Sequence, residues 1–197
     1  MGEEIEQLKN PRTTRPPTPT ITEAQVRLVD IHLRSEGCDD PGKTPNTCGI
    51  AYIKVDGKDY SLHGRGHNVV IVDAKTGAVL EAKSFDTYAV SNAGNSLGSY
   101  LDSKNGHQIV LVAVQDSAST YQAPAIDALK RKGATDPVVD FRGSFALVGY
   151  AQANITRPLW IAQQRRNSGQ GPSEISLKNT TYIKCVRLLS PKDTYLA

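Results

Sequence analysis

The side chains best suited to chemistry are two carboxylates and a guanidinium, and all three sit where strands are expected to end or begin. Asp86 closes the run Ala78–Phe85, Asp116 closes the apolar run Ile109–Val114, and Arg142 precedes Phe145–Tyr150. If those strands are neighbours, one sheet edge gathers Asp86, Asp116 and Arg142, with Thr87 beside them. Planar, bidentate polar groups of this kind bind sugar hydroxyls, usually next to an aromatic face, which Tyr88 or Tyr121 can supply. The alternative is a structural ion pair of Arg142 with Asp86 or Asp116 that holds the strands in register. A third reading makes Asp86 and Asp116 the acid and base of a glycosidase, which requires carboxyls ~5 Å or ~6.5–9.5 Å apart.

Other chemistries find no frame. The sequence has no G-x-S-x-G elbow, no H-E-x-x-H and no C-x-x-C. His63 and His67 have the spacing of helical metal ligands, but Gly64 and Gly66 between them argue against a helix, and no third ligand lies nearby in sequence. They read as two histidines on a polar loop, so no metal and no cofactor is expected. Gly37–Thr44 fits the letter pattern of a phosphate-binding loop. Asp39 and Asp40 would repel a polyphosphate there, and Pro45 disfavours the helix that should already be running at Thr44.

These candidates must be positioned by strands. His63–Tyr88, HGRGHNVVIVDAKTGAVLEAKSFDTY, reads as a hairpin: Val69–Val72 is an unbroken β-branched run suited to burial on both faces. Asp73–Gly77 makes a turn closed by a glycine bulge, and Ala78–Phe85 returns. Gln25–Leu33 and a short hairpin, Ala51–Val55 with Asp59–Leu62, precede it. Ala89–Ser96 reads as a polar loop before a short helix bearing Leu97, Tyr100 and Leu101 and stopped at Asn105-Gly106. Pro124 opens a further helix that ends at Gly133. A third helix is expected over Leu159–Asn167 behind Pro158, and Glu174–Leu177 and Tyr182–Leu189 as closing strands.

Apolar content of 39%, charged content of 22% and a net charge of +3 describe an ordinary globular chain of one domain with extensions. Lys130–Lys132 and Arg165-Arg166 lie at expected helix ends, where cations complement the dipole, and no basic stripe interleaves with aromatics, so nucleic acid is not expected as a partner. No apolar run reaches the ~20 residues that span a bilayer, so no membrane insertion is expected. The Pro/Thr-rich residues 1–23 read as a linker and 190–197 as a tail. The start MGEEIEQLKN lacks the regions of a signal peptide, which reads as a cytosolic chain or a piece of a longer precursor. A disulfide between Cys38 and Cys48 would tie the neck of a Pro/Gly/Asp-rich loop and stabilise by at most ~3 kcal/mol. The alternative is two free thiols in a reducing compartment, and Cys185 is the odd one out. Asn154-Ile-Thr156 and Asn179-Thr-Thr181 are glycan acceptors if the chain is secreted.

The stretch GRGHNVVIVDAKTGAVLEAKSFDTY, with YIKVDG upstream and IVLVAVQDSAS, the helix end Gly133-Ala134 and FRGS downstream, resembles the ILEI/PANDER-type domain. That domain is known from interleukin-like inducers of epithelial–mesenchymal transition, from the stem of the enzyme adding N-acetylglucosamine to O-linked mannose, and from cell-surface hyaluronan-binding proteins. The resemblance implies an α+β domain over 24–189, with two β-sheets packed as a lectin-like sandwich and flanked by short helices. It implies a secreted or secretory-pathway glycoprotein that is not an enzyme. The expected activity is a carbohydrate-binding module with Asp86, Thr87, Asp116 and Arg142 at its rim and a glycan or glycoprotein as partner. The alternative is a cytokine-like signalling domain with a protein receptor. At His67 the family usually carries an apolar residue.

Overall fold

In this computed structural model the described residues are 29–151 and 161–178. The centre is the antiparallel ladder of β4 (Gly66–Asp73), β6 (Gln108–Asp116) and β7 (Ser144–Tyr150), ordered β4-β6-β7. Their β-branched runs are buried on both faces, and the period of two sorts them. Val69, Ile71, Val110, Val112, Val114, Phe145 and Leu147 point one way, onto Leu97 and Leu101 of α1 (Ala93–Asp102) and Leu129 of α2 (Ile126–Arg131). Val70, Val72, Ile109, Leu111, Ala113, Ala146 and Val148 point the other way, onto Ile31 and Leu33 of β1 (Ile31–Gly37), Ile53 and Val55 of β2 (Tyr52–Val55) and Ile175 of β9 (Ser173–Leu177). Burying such a side chain is worth roughly 1.5–3 kcal/mol each, so the layering is dictated by these three strands.

The outer strands complete two sheets. β5 (Val79–Phe85) pairs with β4 through the turn expected from the sequence, with Gly77 at φ 70° and its N–H donating to Asp73 O at 2.8 Å. β1 lies antiparallel between β2 and β9, and β3 (Lys58–Asp59) pairs with β2. At its end β1 leaves this smaller sheet and runs parallel to β6, with Glu36 opposite Gln115 and Gly37 opposite Asp116. That crossing joins the sheets and makes the larger one mixed. The described residues are mostly β-sheet, with two short α-helices on the far side of the larger sheet from the smaller one.

Two expectations are corrected. The helix over Leu159–Asn167 is, where described, strand β8 (Ala162–Arg166), antiparallel to β7. Ala-Gln-Gln-Arg-Arg has good helix propensity, but β7 offered an open edge, and filling its ladder outweighs a propensity of tenths of a kcal/mol per residue. α1 begins at Ala93 rather than after Ser96 because Gly94 and Gly98 let it press against the segment 121–125, where a Cβ on Gly94 would lie 1.9 Å from Tyr121 O. A one-turn 3-10 helix, Ala123–Ala125, leads into α2. Among the described residues no helix is long and apolar enough to cross a membrane. The sequons at Asn154 and Asn179, Cys185, most of Gln25–Leu33's first half and the strand expected over Tyr182–Leu189 lie outside the described residues.

Candidate glycan site at the strand ends

The hairpin register of His67 opposite Phe85 brings the chain before β4 alongside the chain after β5. Gly66 makes this approach possible: it sits at φ 88°, and a Cβ there would meet Phe85 O at 2.3 Å. Arg65 then reaches Asp86 with two prongs, Nη2 to Oδ2 at 2.8 Å and Nε to Oδ1 at 3.1 Å. Asp86 Oδ1 also accepts the backbone N–H of Tyr88 and of Ala89, at 3.2 and 3.0 Å. The Arg65 hydrogen bond, helped by these amides, holds the Asp86 carboxyl below the usual range. Asp86 is therefore an anchored anion that closes a turn.

Thr87 is not on the rim. Its side chain is buried, and Oγ1 lies 2.8 Å from Nδ1 of His67, which is itself fully buried in β4. The polar-loop reading of His67 is corrected with it: the strand starts at Gly66, one residue before the histidine, and the inward pleat takes the imidazole. His63 Nδ1 instead meets Ala51 O at 2.9 Å, so the two histidines do not converge on one ion.

Asp116 is the other carboxylate, and its surroundings are different. It ends β6 at φ 60°, half-buried, and no N–H or O–H of the described residues donates to its carboxyl. Cys48 Sγ lies 3.3 Å from Oδ1, but that sulfur is bonded to Cys38 and has no hydrogen to give. The cluster of Cys38, Cys48 and Asp116 thus offers no thiolate to a metal. Burial pushes the Asp116 carboxyl up, against the attraction of Arg65 and Arg142.

Arg142 is in the left-handed region too, at φ 56°, an uncommon conformation for a long side chain. Its backbone N–H donates to Ser117 Oγ at 3.2 Å, and Gly37 packs so tightly on its carbonyl that an added Cβ would sit 2.0 Å from the oxygen. The guanidinium pairs with Asp39 at 2.9 Å, and not with Asp86 or Asp116. Asp39 comes from the loop that the Cys38–Cys48 disulfide closes, and β1 delivers that loop to the end of β6.

Asp86 is linked to Arg142 indirectly, through Arg65, Tyr88 and Phe141. Arg65, Arg142, Asp86 and Asp39 all act electrostatically on Asp116. The aromatic face is present as well. Tyr88 lies under Arg65 at 5.2 Å from the guanidinium, its ring is 5.8 Å from Phe141, and Phe141 lies under Arg142 at 5.0 Å. Phe141 is 52% exposed. Sequence reasoning passed over Phe141 and Asp39. Phe141 carried a signal, an aromatic next to the arginine in a glycine-closed turn, whereas Asp39 had none because its partner is 103 residues away.

Residues 65–153 match the family described as interleukin-like EMT inducer. The chain is also similar to the cell surface hyaluronidase CEMIP2 of Homo sapiens, with 30% identity over 118 residues. That match covers 58% of this chain and 8% of the relative's length.

Proposed function

The chain carries an interleukin-like EMT inducer domain, and from that premise we propose that the ledge around Asp116 is the seat of a non-catalytic, lectin-like glycan-binding module. The observation that carries the reading is a half-buried carboxylate, Asp116, with no donor among the described residues, together with the half-exposed ring of Phe141 under Arg142. Vicinal hydroxyls of a sugar supply the donors Asp116 lacks, and the apolar face of the ring lies on Phe141. Arg142 borders this seat, and Asp86 with Arg65 walls it. Binding is supported over base-assisted hydrolysis by Asp86, whose oxygens are committed to a guanidinium and two amides and whose lowered basicity makes it a poor general base. An extracellular setting agrees with the Cys38–Cys48 disulfide, since such bonds persist in oxidising compartments.

Glycan-array binding tests it, with Phe141→Ala and Arg142→Ala as variants. Each should weaken binding by about 1–3 kcal/mol, through lost stacking or a lost charge-assisted hydrogen bond. A folded wild-type protein that ignores every sugar on the array refutes the reading. A second reading, a signalling domain with a protein receptor, is favoured by the exposed Val90, Tyr121 and Phe141, which the Asp86–Tyr88 turn brings to one side. Crosslinked capture of one receptor, unaffected by removing its glycans, would select it.

A further inference from the structure

The Cys38–Cys48 disulfide ends beside Asp116. Cys48 Sγ lies 3.3 Å from Asp116 Oδ1, and the two sulfurs and a carboxylate oxygen all fall within 4.8 Å of one another. Cys48 is exposed, and Cys38 and Asp116 are half-buried, so a reductant and an ion can reach the group. Exposed disulfides are generally the labile ones.

The S–S bond is not what brings these three residues together. Gly37, next to Cys38, stands opposite Asp116 in the parallel pairing of β1 with β6. Asp40 accepts the Gly37 N–H at 2.7 Å and the Gly171 N–H at 3.2 Å. The Glu36 carboxylate accepts the N–H groups of Thr44 and Ile50, both at 2.9 Å, and Arg34 Nη2 donates to Gly42 O at 2.8 Å. Each cysteine therefore sits within two residues of a backbone point anchored by other contacts. Opening the bond slackens the loop and leaves both sulfurs near the carboxylate. Two ligand atoms on one tetrahedral zinc are about 3.6 Å apart for sulfur and oxygen and about 3.8 Å apart for two sulfurs. The Cys48–Asp116 separation is already close to the first, and the second asks the sulfurs to part by about 1.8 Å from bonding distance.

We propose that reduction turns this corner into a zinc site, with the thiolates of Cys38 and Cys48 and the carboxylate of Asp116 as three ligands and a fourth position open to water. A dithiol reductant gives two electrons and two protons to the S–S bond, which breaks into two thiols while the reductant closes its own disulfide. Zinc then displaces both thiol protons to solvent. The soft thiolates favour zinc over calcium or magnesium. Arg65 and Arg142 act electrostatically on Asp116 and offset the excess negative charge that three anionic ligands place around a divalent ion. The site does not depend on the glycan reading.

The test uses the full chain with Cys185→Ser, so that the third cysteine contributes no thiol, and a water-soluble phosphine as reductant. The phosphine takes the oxygen of a water molecule, and that water's hydrogens go to the sulfurs. Zinc affinity is read by competition with a chromophoric chelator. Reduced protein should bind one zinc per chain, at least about a hundredfold more tightly than oxidised protein, and Co2+ in its place should show the visible absorption of a tetrahedral, sulfur-ligated ion. Cys48→Ser should abolish this binding. Asp116→Asn, whose side chain tolerates the left-handed backbone there, should weaken it by more than about tenfold with the fold intact. The reduced, zinc-free chain should still melt cooperatively. Equal zinc binding by oxidised and reduced protein would overturn the proposal. So would an Asp116→Asn affinity equal to that of wild type, which leaves a dithiol without a carboxylate ligand. Loss of cooperative melting on reduction would overturn it as well, by showing that the disulfide and not the backbone holds the sulfurs in place. Each of these outcomes leaves glycan binding by the oxidised protein untouched.

Discussion

His67 should make this domain acid-sensitive in a window where few carboxylates titrate. The imidazole lies at 0% exposure in β4 between Phe85 and Val114, its Nδ1 bonded to Thr87 and its Nε2 without a partner among the described residues. Burial disfavours the charged ring and pushes its pKa down to about 4 from 6.5. Above pH 6.5 the ring is neutral in both the folded and the unfolded chain, and the full stability is present. Between pH 6.5 and 4 the unfolded chain binds a proton that the folded one refuses, so stability falls as pH falls, and the loss is complete below 4. The limiting loss is about 3 kcal/mol, and linkage places about 2 kcal/mol of it between pH 7 and pH 5. The carboxyls held low by their partners, Glu36, Asp86 and Glu174 among them, lose their contribution mainly below about pH 5, under the range the assay covers. Asp40 and Asp116, raised by burial, act in the opposite sense. Urea unfolding at pH 7, 6 and 5 should therefore be run on wild type and His67→Leu and the two slopes subtracted. The variant starts lower, having left the Thr87 hydroxyl unpaired at a cost of about 1–3 kcal/mol, but it should lose about 2 kcal/mol less on acidification. Parallel losses in the two proteins would refute the reasoning.

The paired substitution Cys38→Ser with Cys48→Ser opens a short loop and should cost about 2.8 kcal/mol by loop-closure entropy, read as a shift of the urea midpoint at unchanged slope. It should also weaken sugar binding, because the released loop carries the Asp39 that positions Arg142; stability within about 0.5 kcal/mol of wild type would count against a constraining bridge. Gly37→Ala places a methyl against the Arg142 carbonyl and should cost about 1–3 kcal/mol while displacing the guanidinium. An unchanged melting temperature would show that β1 and the Arg142 turn are not in tight contact.

The parts of this molecule legible in its sequence are those decided by burial. Val69–Val72, Ile109–Val114 and Phe145–Tyr150 have to be covered on both faces, and both cores follow from that. That Asp86, Asp116 and Arg142 stand at or beside strand ends is legible for the same reason. What was hidden depends on single-residue phase or on long-range delivery. Thr87 and His67 are turned inward because the strand begins at Gly66, ahead of the β-branched run Val69–Val72 that marks it in the sequence. β8 is a polar segment whose conformation was chosen by the edge of β7 and not by its own residues.

Long-range delivery also explains why the ledge lies where it does. β1 belongs to the smaller sheet through Ser35 and to the larger one at Glu36 and Gly37. Its crossing carries the disulfide loop to the mouth of β6, and it requires a glycine opposite Asp116 because the Arg142 carbonyl occupies the space of a Cβ. Asp116 and Arg142 both sit at positive φ on this junction, a conformation costing of order 1 kcal/mol or more that persists only where surrounding structure fixes it. The tight contact at Gly37, the Ser117 bond to the Arg142 amide and the Asp39 ion pair are what fix it here. Strain held by three independent contacts at the one place where the sheets join keeps an unmatched carboxylate and an exposed ring in fixed relation. Under the glycan reading, that fixed relation would let a weak hydroxyl donor bind without first ordering the site.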